Sequence, residues 1–255
     1  MSSDLLSEQR AGIDLVRLNR PERRNAMVPQ LMLDLAAKLR QVGRPPGSIK
    51  GLVLTGEGVA FCVGADLKWI ASEKDPGNAV ATLAAAHHAA VWALRQIAAP
   101  TIAAVNGAAA GGGMSLALAA DFRIASPNAT FTAAYFRLGL TPDGGNSAFL
   151  VRNLGAARAM ELLLTSRTLS AQEALSLGLV NEIVETERLL DRACELAVEL
   201  SAIPGQALLA ARRLLDAGAT QPLREVLDLE QAAISEAARS PAFREALARF
   251  LTRPR

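Results

Sequence analysis

Histidine and cysteine are scarce in this chain of 255 residues, two of each, and nothing in their spacing gathers them into a site. Cys62 and Cys194 lie far apart in apolar surroundings, with no Cys-x-x-Cys spacing and no Cys/His partner. They read as buried free thiols, so neither a disulfide nor a metal site is expected. His87 and His88 stand mid-helix in an alanine-rich run. Neighbours on a helix point in different directions, so the two should not share one site, and they read as structural or surface residues. An excess of charge of one sign is missing as well. The 27 basic and 25 acidic residues are well mixed and leave a net charge of +2, whereas a nucleic-acid surface needs Lys and Arg gathered on one face. No nucleic-acid partner is expected. The most apolar stretch, residues 101–120, is broken by Asn106, Gly107, Gly111, Gly112 and Gly113. That punctuation suits a buried strand–turn–helix, and no membrane span is expected. The first residues lack a basic segment followed by an apolar one, so no signal peptide is expected and a cytoplasmic location is the default. Four familiar catalytic signatures are absent too: Gly-x-Ser-x-Gly, His-Glu-x-x-His, a Walker lysine after glycines, and Gly-x-Gly-x-x-Gly after a strand.

What is present is a globular composition, 51% hydrophobic and 20% charged, in a chain long enough to bury a large core. Residues 13–19 alternate like a half-buried strand, stopped by Asn19-Arg20-Pro21. Residues 29–42 carry Leu31, Leu35 and Leu39 on one stripe and predict an amphipathic helix. Residues 49–55 and 101–105 are apolar runs of the kind found in fully buried strands. Between them, residues 56–64 read as a glycine-punctuated loop and 78–98 as a long helix ended by Pro100. Residues 121–125 return as a strand. This alternation predicts an α/β class with a largely parallel sheet. From Ser170 onward the pattern is nearly all helical, with Pro204, Pro222 and Pro241 between segments. Residues 1–200 are therefore expected to form the core and 201–255 a helical C-terminal region.

Two glycine-bearing turns, each after a buried strand, are the candidate chemistry. One runs from Gly56 to Leu67; the other runs from Asn106 to Gly113 and straight into a helix. Glycine lets an amide turn inward and a ligand approach closely, and amides at a helix N-terminus are unpaired. Two such turns can aim two N–H donors at one oxygen, as an oxyanion hole requires. They can equally serve tight strand–helix packing, and the bare pattern leaves both readings open.

The chain resembles the crotonase (enoyl-CoA hydratase/isomerase) superfamily through residues 18–27 and 60–68. The likeness continues through Ala104-Val105-Asn106-Gly107 with the Gly111, Gly112, Gly113 run, then through residues 138–145. Residues 171–184 and the tail 244–255 are similar to the family's closing segments, so the resemblance spans essentially the whole chain in order. It implies a ββα spiral core, C-terminal helices that mediate a homotrimer or dimer of trimers, and an acyl-CoA thioester substrate. Coenzyme A would arrive as part of that substrate, with no other cofactor and no metal. Carried over by position, the oxyanion donors would be the N–H groups of Ala65 and Gly112. The CoA and acyl pocket would be lined by Arg23, Arg24, Ala26, Gly64, Asp66, Leu67, Lys68, Gly111 and Tyr135. Arg23, Arg24 and Lys68 would meet the phosphates.

The family's hydratases use two glutamates, and the matching positions here are Ser115 and Tyr135. Neither can act as a carboxylate base. The acid retained is Asp143, in Pro142-Asp143-Gly144-Gly145. The resemblance implies that it shuttles a proton, as in superfamily isomerases, or attacks an aromatic ring, as in the chlorobenzoyl-CoA dehalogenase branch. As a plain helix former it would instead cap a helix beginning near Gly145. Burial beside Leu140 and Phe149 is expected to raise its pKa. Residues 158–169 and Tyr135 also look like the dehalogenase branch. That branch's histidine on the long helix, counted eight residues before the closing proline, falls on Trp92. Isomerisation is the preferred expectation.

Overall fold

A computed structural model describes residues 4–42 and 49–252. The chain opens with a hairpin, β1 (Leu5–Arg10) and β2 (Ile13–Leu18), followed by α1 (Pro29–Gln41). Pro29 sits in the first turn of α1, where a missing N–H has no helical partner to lose. Three strand pairs come next: β3 (Gly51–Gly56) with β4 (Ala60–Cys62), β5 (Thr101–Val105) with β6 (Ala108–Ala110), and β7 (Phe122–Ala125) with β8 (Thr130–Thr132). Helices α2 (Leu67–Ser72) and α3 (Pro76–Arg95) follow the first pair and α4 (Gly112–Leu118) the second. The third leads to α5 (Asn146–Leu154), α6 (Ala156–Thr165), β9 (Thr168–Ser170), α7 (Ala171–Ser176), β10 (Glu182–Ile183) and α8 (Leu189–Glu199). Helices α9 (Gly205–Gly218), α10 (Leu223–Ala238) and α11 (Pro241–Leu251) complete the described chain.

Each strand pair puts its first member in one sheet and its second in another. The first sheet runs β1-β2-β3-β5-β7-β10 and is parallel after the opening hairpin. The second runs β4-β6-β8-β9 and is parallel except at β8–β9. This repeated step is the ββα spiral that the resemblance implies. Strand periodicity then sorts the side chains. Ile13, Leu15, Val53, Ile102, Ala104 and Ile124 face Leu189, Ala193 and Ala197 of α8. Their sequence neighbours Val16, Leu52, Leu54, Ala103, Val105 and Ala125 face the larger core shared with α1 and α3. With both faces covered, β3 and β5 are buried at every position, which is why they read as continuous apolar runs.

The short strands depart from the expected pattern. Residues 56–64 contain β4, and the C-terminal part contains β10, which closes the first sheet against β7. Elements of two or three residues are too short for a period of two to register. The unforeseen β1 carries Ser7, Glu8, Gln9 and Arg10, a polar composition that suits its place at a sheet edge. Both cysteines are free; Cys62 is buried, but Cys194 is only partly so. Burial pushes the Cys62 thiol up to about 12, which leaves it inert as a nucleophile at neutral pH.

Helix α9 is fastened to the core by Arg212, which pairs with Asp121 and donates to the carbonyls of Arg95, Ile97 and Ala99 at the end of α3. Beyond it the burial stops. Val226 is the only buried residue of α10 and α11 has none, while Leu223, Ile234, Phe250 and Leu251 are exposed. Among the described residues no single helix is long and apolar enough to cross a membrane.

Candidate active site

The residues from Arg20 to Met27 form a pinned turn rather than a flexible loop. Buried Asn25 accepts from the Arg20 amide and donates to the carbonyls of Glu57 and Ala60, tying the turn to the β3–β4 connection. Met27 then forms a single parallel bridge with Ala65. Its N–H donates to Gly64 O at 2.7 Å and its carbonyl accepts from Asp66 N at 2.9 Å. A parallel bridge uses only those flanking groups, so the Ala65 N–H lies outside the ladder. Gly64 supports this geometry with φ +88°, a conformation open to glycine.

Gly111 also has a positive φ, +51°, and turns the chain into α4. Gly112 is the first residue of that helix, where N–H groups have no intrahelical partner. Gly113 serves a different end: a Cβ there would overlap the Cys62 carbonyl, so it lets α4 sit directly on β4. Close packing also accounts for glycine at position 112, where a Cβ would overlap the Met27 side chain. The Gly64 and Gly112 turns are adjacent, since a Cβ built on Gly64 would stand 3.5 Å from Gly112 N.

These turns border a cavity of about 410 Å³ lined by Gly64, Ala65, Leu67, Gly111, Gly112, Tyr135 and Asp143 among the residues expected at the site. Met27, Ile70, Val80, Leu83, Leu138 and Leu140 make most of its wall apolar. Arg23, Arg24, Ala26, Asp66 and Lys68 do not line it. Arg23, Arg24 and Lys68 are exposed nearby in sequence, and none forms an ion pair among the described residues. Asp66 departs from its expected role. The residue is 6% exposed, and its carboxylate caps α2 through the amides of Lys68 and Trp69 and pairs with Arg20 at 3.0 Å. Burial would raise this carboxyl, but the Trp69 amide and Arg20 hold it below the ordinary carboxylate range. It is a structural pin. Ala26 is likewise occupied, its carbonyl accepting from Arg20.

Ser115 and Tyr135 meet inside the protein. Their hydroxyl oxygens are 2.8 Å apart, and Ser115 Oγ also donates to the Asp143 carbonyl at 3.1 Å and accepts from Asn146 Nδ2 at 3.1 Å. Burial, then the nearby Asp143 charge, pushes the Tyr135 phenol far above its ordinary value, so it stays protonated at neutral pH. The pair is a neutral hydrogen-bonded brace under the loop that carries Asp143.

The Asp143 side chain does not cap a helix. The N-cap of α5 is Gly145, no side chain bonds its first turn, and Asp143 contributes only its carbonyl, to Asn146 N at 3.0 Å. The carboxylate turns instead toward α3, with Oδ2 3.6 Å from His87 Nδ1 and 4.0 Å from His88 Nε2. The expectation that adjacent helix residues cannot share a site thus fails. Asp143 lies on a loop that crosses the helix, and one carboxylate can reach two side chains leaving it in different directions. The expected rise in its pKa also fails. Burial acts upward, but His87, the Tyr135 hydroxyl and His88 together hold the carboxyl below its usual range. Phe149 is near Gly145 but does not line the cavity. Trp92 is 68% exposed, and Asp143 has His87 and His88 beside it whatever residue stands at position 92. Nothing in the sequence marked His87, because its partner is 56 positions away.

Residues 8–255 match the enoyl-CoA hydratase/isomerase family, to which the chain belongs. It is 37% identical to 1,2-epoxyphenylacetyl-CoA isomerase of Escherichia coli over 99% of this chain and 97% of that protein. It is 34% identical to 4-chlorobenzoyl coenzyme A dehalogenase-2 of an Arthrobacter species, covering 95% of this chain and 88% of that one. A solved enoyl-CoA hydratase from Polaromonas superposes with a TM-score of 0.89 at 34% identity, covering 97% and 96% of the two chains. Three chemistries are thus named among relatives of similar sequence identity.

Proposed function

We propose that the protein is an acyl-CoA isomerase that holds a thioester enolate with two backbone amides and moves one proton with Asp143. The observation that supports this reading is that Asp143 is the one carboxylate among the described residues lining the cavity, which also exposes Ala65 and Gly112. The thioester oxygen accepts from the Ala65 and Gly112 N–H groups, which stabilises negative charge as it develops there. For a 3-enoyl-CoA, the Asp143 carboxylate removes a C2 proton, and the C–H electron pair spreads into a dienolate. The same proton then returns to C4, leaving the 2-enoyl-CoA. Its position below the usual carboxylate range means Asp143 is ionised at neutral pH and ready to accept. A carboxylate so weak as a base relies on the amides to acidify the carbon. An isomerase, of 1,2-epoxyphenylacetyl-CoA, is named among the relatives, and Ser115 with Tyr135 leaves no carboxylate pair for hydration.

A second reading is favoured by the two histidines beside Asp143 and by the dehalogenase relative. In it the Asp143 carboxylate attacks the chlorine-bearing carbon of an activated aromatic ring, and chloride leaves with the C–Cl electron pair. Water then hydrolyses the aryl ester to free the aspartate. The test supplies trans-3-hexenoyl-CoA, crotonyl-CoA and 4-chlorobenzoyl-CoA in separate assays. Formation of 2-hexenoyl-CoA, with slow hydration of crotonyl-CoA and no chloride release, is the expected result. Chloride release establishes the second reading; fast hydration removes both. Leu223, Ile234 and Phe250 are largely exposed among the described residues, and the assembly expected is a trimer or dimer of trimers. A monomer mass by light scattering overturns that assignment.

A further inference from the structure

His87 is 0% exposed, and neither ring nitrogen has a hydrogen-bond partner. Burying a polar ring without partners is unfavourable, and an apolar side chain in the alanine-rich face of α3 would avoid it. The ring is also given room. A Cβ at Gly112 would stand 3.0 Å from His87 Cε1, and one at Gly144 would overlap the ring. Two glycines therefore clamp one imidazole. Gly112 carries a proposed oxyanion donor, and Gly144 follows the proposed base, so the ring touches both halves of the site.

The neighbouring histidine has a different task. His88 Nε2 accepts the Gly144 N–H at 3.1 Å, so that nitrogen has no proton to offer Asp143, 4.0 Å away. His88 pins the turn, and His87 faces the carboxylate. From 3.6 Å, a closure of about half an ångström brings Nδ1 of His87 within hydrogen-bonding distance.

We propose that His87 is a positioning residue that donates its Nδ1–H to the Asp143 carboxylate, fixing the base relative to the amide of Gly112. The proposal rests on the reading of Asp143 as the base. His87 and His88 from α3 and Tyr135 from the preceding turn face that carboxylate. His87 itself faces Asp143, with the His88 ring centroid 6.2 Å away. Without His87, burial of Asp143 meets less opposition and its carboxyl titrates at higher pH. Because the ionised form is the base, the acid limb of the rate profile moves upward with it.

The test combines nitrogen-15 spectra of the histidines and carbon-13 titration of labelled aspartates with turnover of trans-3-hexenoyl-CoA. Signals are assigned with Asp143→Asn, and the variants are His87→Leu and His87→Gln. The expected result is a protonated Nδ1 on His87 in the wild type and an upward shift of the Asp143 titration in His87→Leu. Turnover in that variant falls on the order of a hundredfold, as misplacement of a reacting group does, with KM little changed. His87→Gln, which keeps a donor, recovers part of the rate. A bare Nδ1 on His87 between about pH 5 and 8 overturns the proposal, even if His87→Leu does not fold. So does a folded His87→Leu whose Asp143 titration and rate profile match the wild type. If Asp143→Asn keeps wild-type turnover, the base reading falls instead, and the role assigned to His87 falls with it.

Discussion

The two halves of the proposed site, an amide half and a base half, are made of different material. The amide half is backbone: Ala65 beside the Met27 bridge and Gly112 at the start of α4, each placed by a turn that follows a strand. The base half is side chain: Asp143 on the loop before α5, His87 and His88 on α3, and the Ser115–Tyr135 brace beneath. Backbone groups keep their chemistry whatever side chain a position carries, provided the turn survives. Side chains can be exchanged one at a time. On the proposed reading, a backbone half that outlasts side-chain exchange lets one fold carry more than one chemistry, and the similar proteins are named as an isomerase, a dehalogenase and a hydratase.

Substitutions confined to one half sharpen the contrast. Asp143→Asn is expected to have the largest effect, a loss of roughly 10²–10⁴ in turnover, with acyl-CoA binding measured by calorimetry nearly intact. The fold should survive, because the first turn of α5 takes no bond from this side chain. Asp143 has a lowered folded-state pKa, so its contribution to stability is present above the unfolded value of about 3.9 and fades as pH falls through the folded one. Thermal melts of the variant should therefore lie slightly below wild type at neutral pH and converge with it in acid.

The amide half is tested without touching a side chain. Replacing Ala65 by lactic acid turns its N–H into an ester oxygen and is expected to lower turnover about 10²–10³-fold. Gly112→Pro is a poorer probe, since a Cβ there would collide with Met27 and approach His87. An ester enzyme with wild-type turnover would dismiss the amide from the mechanism. Tyr135→Phe has the smallest expected effect. It removes the bond to Ser115 and a contact to the Asp143 carbonyl, worth about 0.5–1.5 kcal/mol of stability in denaturant melts, with turnover changed only a few-fold. A large kinetic loss would mean that Tyr135 is more than a brace.

Most of the fold was legible where elements were long. The helix expected over 29–42, the buried strand at 101–105 and the helix opening at the glycine run all lie within a residue or two of α1, β5 and α4. The two-residue β10 and three-residue β4 were not legible, because their pairing partners rather than their own periodicity create them. Asp66 shows the same limit in the site. Its position in the motif was readable, but its capture by Arg20 and the α2 amides was not.

Patterning alone determined an α/β class with a largely parallel sheet and glycine turns after buried strands, since positive-φ positions and buried strands leave local marks. The ββα spiral was readable only through the resemblance of the motifs to a family. That resemblance also singled out Asp143, because Ser115 and Tyr135 stand where the family's hydratases carry glutamates. Only the tertiary structure decided the electrostatics around that aspartate. The loop before α5 crosses α3, so a carboxylate meets imidazoles 55 and 56 residues away, and charge responds to distance in space rather than along the chain.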